Sequence, residues 1–333
     1  MKALLCKDFG PIENLSWEDV LDPTPKSGQV LVDIKAAALN FPDTLIVQGL
    51  YQFKPDFPFS PGSEGAGVIS AIGENVDNFE IGDKVSFMCG WGAFAEKIAI
   101  NHKQLIKIPE GMSFELAAVT QLAYGTSYHA LIQRGRLAQD DEILILGCSG
   151  GVGLAALDIA KAHNVRVVAG VSSKEKADLC KQYGADEIVI YGSNKLDRDG
   201  QKTLSNNFKE KSKKGAFDII FDPIGDCYTE PALRSIHWKG RYLVIGFAAG
   251  EIPKIPLNLP LLKGCEIIGV FWGAFTGHEP KQNMNNIIEI GKLLSTEKIN
   301  PFISRKLPMK LATEAISMIK ERKVLGKVVL VNE

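Results

Sequence analysis

Residues 147–153 constrain this chain more than any other stretch. They read Gly-Cys-Ser-Gly-Gly-Val-Gly, follow the apolar run 143–146, and open residues 154–162, whose apolar positions have helical spacing. Strand, glycine turn and helix in that order are the context in which a glycine motif holds a dinucleotide. Gly150 lets the backbone approach a pyrophosphate, and Gly153 lets the helix pack close to the strand. The amides of Ser149, Gly150, Gly151, Val152 and Gly153 then face the anion, with the positive end of the helix dipole behind them. Cys148 stands where the usual first glycine is expected, so the strict G-x-G-x-x-G pattern is not met. Taken alone, the spacing also fits a plain strand-to-helix turn.

The 333 residues suffice for two domains of about 150 each. A net charge of -1 gives no reason to expect a nucleic acid or an anionic membrane as partner. No segment reads as a signal peptide or a membrane span. The six cysteines show neither C-x-x-C nor zinc-type spacing. They read as reduced thiols in a cytoplasmic protein. Cys148 is either a small residue tolerated at the turn or a thiol made acidic by the helix amides.

Residues 1 to about 120 are β-rich, with strands expected at 2–6, 29–38, 67–72, 84–88 and 94–100. A long loop, 48–62, carries Pro55, Pro58 and Pro61. Ser113 is placed to cap a helix. Strands then alternate with helices. Strands are expected at 142–146, 166–171, 187–191, 217–222, 241–247 and 266–271, with helices at 151–163, 174–183, 197–213 and 226–237 between them. This is the pattern of a six-stranded, doubly wound parallel sheet, whose ligand crevice lies at the carboxyl ends of the strands. Beyond residue 272 come two amphipathic helices and a last strand, 327–331. That strand cannot extend the parallel sheet without another crossover, so it is placed back in the first domain. The expected division is residues 1–122 with 272–333 in one domain and 123–271 inserted as the other.

The second strand tests the cofactor. An NAD site places an acid at its end to accept the ribose hydroxyls. Here Ser172, Ser173 and Lys176 stand there instead. Hydroxyls and an ammonium hold a 2′-phosphate that a carboxylate repels, which points to NADP (NADPH). Tyr191, at the end of the third strand, offers a further hydroxyl or a ring to stack on adenine. Gly246 and Phe247 end strand five, and Phe271, Trp272 and Gly273 end strand six. The glycines there let amides meet a nicotinamide carboxamide, and the aromatics either wall the ring or fill the core.

These pieces, taken together, resemble the medium-chain dehydrogenase/reductase superfamily in its zinc-free quinone oxidoreductase branch. The resemblance is carried by residues 40–44 (Asn-Phe-Pro-Asp-Thr), 61–67 (Pro-Gly-Ser-Glu-Gly-Ala-Gly), 82–85, 124–128, the glycine loop, 172–176 and 326–330. Residues 258–264 and 269–273 look most like the quinone oxidoreductase-like protein 2 group. The resemblance implies a GroES-like domain built from both chain ends, with a Rossmann domain inserted. Zinc-dependent relatives have a histidine where Ser63 stands and a cysteine where Asn40 stands. Their four-cysteine structural loop finds only Cys89 here, so neither zinc site can form.

Without a Lewis acid an unactivated alcohol is a poor substrate, whereas a quinone or an enone is already electrophilic. The expected reaction is therefore NADPH-dependent hydride transfer to a quinone or an α,β-unsaturated carbonyl, in a pocket between the domains. Asn40 is an uncharged donor near the carboxamide or the substrate oxygen. Asp43 either orders the loop or acts as an acid. Tyr51 either donates to the substrate or covers the cleft. Thr126 contacts the nicotinamide, as the resemblance implies for its Gly-Thr motif. A homodimer through strand 266–271 is expected on the same ground and because an exposed edge invites pairing. Two other readings stay open: an enoyl-thioester (enoyl-CoA or acyl-carrier) reductase, and an NADPH-binding protein with a structural or RNA-linked role.

Overall fold

The computed structural model describes Met1–Asn332, which divide into two compact units. Met1–Leu122 and the chain from Pro301 form one unit, and Ala123–Asn300 form the other.

The first unit begins with an antiparallel ribbon, β1 (Lys2–Leu5) and β2 (Ser16–Asp19). It continues through β3 (Gln29–Ala38), α1 (Phe41–Ile46), β4 (Glu64–Ile72), β5 (Lys84–Met88), β6 (Lys97–Asn101), β7 (Leu105–Lys107) and α2 (Phe114–Ala118). Ser113 caps α2, its hydroxyl accepting from the amide of Leu116 at 3.2 Å. In β3 the alternation is clear: Val30, Val32 and Ile34 are buried and the residues between them are half-covered. They pack with Phe87, Phe94 and Leu330. β4 starts three residues earlier than its apolar pattern suggests. Gly67 explains the close pairing, since a Cβ there would stand 2.1 Å from the carbonyl oxygen of Asp33.

The chain enters the second unit within α3 (Gln121–Tyr128), which runs on as a π-helical turn, His129–Arg134. Then come β8 (Glu142–Ile145), α4 (Gly151–Ala162), β9 (Arg166–Val171), α5 (Lys174–Gln182), β10 (Glu187–Ile190), α6 (Arg198–Lys211), β11 (Phe217–Asp222), α7 (Thr229–Arg234), β12 (Ile236–Val244), α8 (Asn258–Lys263) and β13 (Glu266–Gly269). The six strands pair in parallel in the order β10-β9-β8-β11-β12-β13. The order reverses at β8, so the glycine loop sits at the switch point. α9 (Trp272–His278) and α10 (Pro280–Ser295) complete the unit.

Other boundaries also differ from the sequence reading: the strand expected over 94–100 spans Lys97–Asn101, and the fifth strand of the parallel sheet, expected over 241–247, spans Ile236–Val244. The helix expected over 226–237 ends at Arg234, because Ile236 already pairs with Phe217. The sixth strand stops at Gly269 rather than 271, and Phe271 instead leads into α9. Residues 272–300 cluster with the second unit, not the first. Phe275 stacks on His129 at 3.8 Å, and Asn286 exchanges hydrogen bonds with Gln133.

The chain closes in the first unit with β14 (Ile303–Pro308), α11 (Ala312–Lys320) and β15 (Lys327–Val331). β15 lies parallel to β14 and antiparallel to β3, and the full sheet runs β14-β15-β3-β4-β5-β7 with β6 also on β3. The two ends of the chain therefore share one sheet.

In the glycine loop, Gly147 takes φ +56, and a Cβ on Gly153 would stand 2.4 Å from the Gly147 carbonyl oxygen and 2.8 Å from Cα of Cys148. At Gly150 a Cβ meets only the Gly147 carbonyl, at 3.4 Å. Gly153→Ala is accordingly expected to lower stability by about 2 kcal/mol through overpacking. Gly150→Ala should stay within about 0.5 kcal/mol of the parent, as most uncrowded substitutions do. Urea unfolding of both variants checks the contrast, and equal losses would refute the packing argument.

Candidate functional site

The second unit carries the residues suited to a dinucleotide. Gly150 caps α4, and the open space around it leaves its backbone approachable. Ser149 is buried beside it, and the carbonyl of Val152 accepts from the Ser127 hydroxyl at 2.7 Å. This bond ties α3 to the first turn of α4. Thr126 is buried next to Ser127.

At the end of β9 the sequence reading and the geometry coincide. Ser173 caps α5, and the ammonium of Lys176 donates to the Ser172 hydroxyl at 3.0 Å. Lysine and serine thus form a single polar cluster at the strand terminus. Tyr191 lies just past β10, with its hydroxyl accepting from the Gly147 amide at 3.2 Å and its ring 4.6 Å from that of Tyr228. Burial pushes its phenol up, so it remains an O–H group that supports the glycine loop from behind.

Cys148 is fully buried, and burial followed by the neighbouring Cys180 raises its thiol well above the ordinary value. Of the two readings of Cys148, this burial favours the small residue tolerated at the turn over the acidic thiol.

Gly246 and Phe247 follow β12, and a Cβ on Gly246 would meet only the Pro223 carbonyl, at 3.4 Å. Phe271 is half-exposed, whereas Trp272 is buried with its indole against Gly125. The indole N–H of Trp272 is buried without a hydrogen-bond partner. Gly273 has only the Phe271 ring near the direction a side chain would take. An orphaned indole donor, an open glycine turn and a lysine–serine pair are groups that a phosphorylated dinucleotide satisfies.

The first unit holds a different cluster. Asn40 caps α1 in capping-box geometry: its amide donates to Oδ2 of Asp43 at 2.7 Å, while the Asp43 amide turns back to the Asn40 carbonyl at 3.1 Å. Asp43 is buried, and burial raises its carboxyl to about 7 against the lowering pull of the Asn40 amide and the charge of Lys327. Tyr51 packs its ring at 5.8 Å on Phe53. Burial, and then the charge of Asp43, raise its phenol.

Two residues of this cluster escaped the sequence reading. Lys327, at the start of β15, donates to the Leu39 carbonyl at 3.1 Å, to Oδ1 of Asn40 at 2.5 Å and to Oε1 of Glu64 at 3.0 Å. Glu64 also accepts from Nδ2 of Asn40 at 2.9 Å and from the Leu122 amide at 2.9 Å. Both are almost completely covered. The available signal was a lone charge at the head of an apolar strand, and a carboxylate inside a glycine-rich turn.

A zinc ion does not fit here. Asn40 presents an amide oxygen already held by an ammonium, Ser63 offers a hydroxyl, and the Lys327 charge repels a dication. Among the described residues no group of three or more His, Cys, Asp or Glu is disposed to hold a metal.

Comparison with known proteins agrees with both halves. The family model described as alcohol dehydrogenase GroES-like domain matches residues 26–110, and that described as zinc-binding dehydrogenase matches residues 151–289. A quinone oxidoreductase-like protein 2 homolog of Nematostella vectensis is 32% identical over 99% of this chain and 88% of its own length. An acryloyl-coenzyme A reductase of Sulfurisphaera tokodaii is 29% identical over 99% of both chains. A mycobacterial protein solved in complex with NADPH superposes with a TM-score of 0.91 at 26% identity, covering 100% of both chains. With this identity over nearly its whole length, and with Asn40, Ser63 and Lys327 where zinc ligands would have to gather, the chain belongs to the zinc-free quinone oxidoreductase branch of the medium-chain dehydrogenase/reductase superfamily.

Proposed function

We propose that this protein is an NADPH-dependent reductase that delivers hydride to a quinone or an α,β-unsaturated carbonyl. The observation that carries this reading is the chemistry around Asn40: neutral amide and hydroxyl donors beside a buried ammonium, with no place for a Lewis acid. Such a site stabilises negative charge that develops on an acceptor oxygen, and it does little for an unactivated alcohol.

NADPH supplies the hydride. The amides of residues 149 and 151–153 would hold its pyrophosphate, with Gly150, whose amide bonds the Gly147 carbonyl at 3.0 Å, leaving room for its approach, and Ser172, Ser173 and Lys176 would hold the 2′-phosphate. The NADPH complex of the mycobacterial relative supports NADPH as the cofactor. The Trp272 indole N–H, Thr126, and the backbone at Gly246, Phe247 and Gly273 serve the nicotinamide end, with Phe271 beside it. Tyr191 braces the loop. Nδ2 of Asn40 and the Tyr51 hydroxyl donate to the acceptor oxygen. Asp43 orders the entry of α1, and its charge helps keep Tyr51 protonated as a donor.

A second reading, reduction of an enoyl thioester, is favoured by the likeness to the acryloyl-coenzyme A reductase. NADPH oxidation followed with a naphthoquinone, a linear enone and an enoyl-CoA, and NADP reduction with a primary alcohol, separates the readings. Turnover is expected with the quinone and the enone. Turnover with enoyl-CoA alone replaces the quinone reading by the thioester one. Tight NADPH binding without turnover of any substrate leaves a binding role.

Surfaces and thiols support a reading of assembly and location. β13 is the edge of the parallel sheet, and Leu261, Leu262, Ile267 and Phe271 near it are exposed. An apolar edge of this kind supports a homodimer. The six cysteines are unpaired, which supports a reducing, cytoplasmic setting.

Lys176→Ala should raise KM for NADPH at least about tenfold, the value of one charge-assisted hydrogen bond, and leave KM for NADH within about twofold. Equal rises with the two cofactors would remove Lys176 from the phosphate site. Ile267→Asp should convert a dimer to a monomer in sedimentation velocity. A variant that sediments like the parent would move the interface elsewhere.

A further inference from the structure

The cluster at the head of β15 contains a cation that the mechanism above does not use. Lys327 has three N–H donors, and all three are spent on Leu39, Asn40 and Glu64. It therefore has no direct bond left to offer a substrate. Its geometry is set by its own strand: Gly326 takes φ +54, and the Lys327 amide bonds the Phe302 carbonyl at 2.9 Å.

An ammonium has no acceptor capacity, so the atom of Asn40 facing it must be the oxygen. This fixes the orientation of the amide. Nδ2 then points away from Lys327, and one of its hydrogens is taken by Glu64 at 2.9 Å. The other finds only distant partners, the Ala38 carbonyl at 3.4 Å and the Ser63 hydroxyl at 3.5 Å. That N–H is the one left for a ligand. An amide whose oxygen accepts from a cation is also polarised, and its N–H becomes a stronger donor.

We propose that Lys327 is a positioning residue for the reduction, acting through Asn40: it orients the amide and passes part of its positive charge to the N–H that meets the acceptor oxygen. The proposal rests on the reading of Asn40 as donor to the substrate. Glu64 is the counter-charge that makes a buried lysine tolerable. Holding the fold together does not by itself account for the pair, because buried ion pairs are often matched or bettered by apolar residues.

The test is a double-mutant cycle with NADPH and a naphthoquinone. Lys327→Met and Asn40→Ala should each lower kcat by about a hundredfold, the cost of losing or misplacing one oxyanion donor. KM for NADPH should stay within about threefold in both. The double variant should fall no more than about threefold below either single one. Lys327→Arg, which keeps the charge and the donors, should recover more than about a tenth of the parental kcat. Losses that multiply in the double variant overturn the relay through Asn40 while leaving Asn40 as donor. Full activity of Asn40→Ala overturns the donor reading and the proposal with it. If Lys327→Met does not fold because Glu64 is left unpaired, Lys327→Met/Glu64→Gln removes both charges and carries the test. A folded form of that variant with full kcat overturns the proposal, and one that loses about a hundredfold supports it.

Discussion

The close approach of Gly153 to the Gly147 carbonyl is the constraint on which the second unit depends. A side chain at Gly153 would push α4 away from the end of β8, and one at Gly147 would run into the Ile224 side chain at 2.7 Å. With both glycines in place, the helix starts at the strand terminus, at the point where the sheet order reverses. Everything that makes this terminus a binding surface follows from that contact: the free amides of the first turn, the Ser127 bond that draws in α3, and the Tyr191 hydroxyl beneath Gly147. Cys148 is compatible with the turn because its side chain points into the core and not toward the ligand face. The departure from the strict glycine pattern is thus a packing choice.

The first unit depends on a different kind of contact. Its sheet joins residues 29–38 to residues 327–331, from opposite ends of the chain. Lys327 sits at that junction and makes three bonds to two other segments, at Leu39–Asn40 and at Glu64. Leu122, at the end of the unit's first segment, reaches Glu64 through its amide. Within this unit the polar cluster is assembled by the pairing of β3 with β4 and β15, by the start of α1 and by the Leu122 amide. A site made this way is as rigid as the sheet that carries it.

Much of this was legible in the sequence, for identifiable reasons. The parallel sheet could be read because its strands are apolar on both faces and its helices are capped by residues such as Ser173 and Asp197. Ser172 and Lys176 could be read because their distance from the glycine loop is dictated by one helix, α4, and one strand, β9. The short α1 was invisible: Pro42 hides a helix that exists through the reciprocal caps of Asn40 and Asp43. The end of the sixth strand was misjudged because apolar residues continue past Gly269 into α9. Glu64 and Lys327 were missed because their meaning lies in a pairing across 263 positions of chain, which no local pattern reveals. Asn40 was identified by type, but its orientation depends wholly on that unseen pairing.

The buried pair also bears on why the reaction can proceed without a metal. Moving a lysine and a glutamate out of water is costly, and their mutual attraction recovers that cost only when the remaining donors and acceptors are met. Here they are met: three bonds from Lys327 and three to Glu64. The cluster is close to neutral, so it adds little net field at a distance. Its influence is confined to the atoms it touches, above all the Asn40 amide. A zinc ion would polarise any oxygen bound to it, including that of a simple alcohol. An amide backed by an ammonium is a weaker electrophile. In the proposed role it would suffice for an acceptor that already draws electrons, and this limit on strength is the physical reason why the proposed chemistry stops at quinones and conjugated carbonyls.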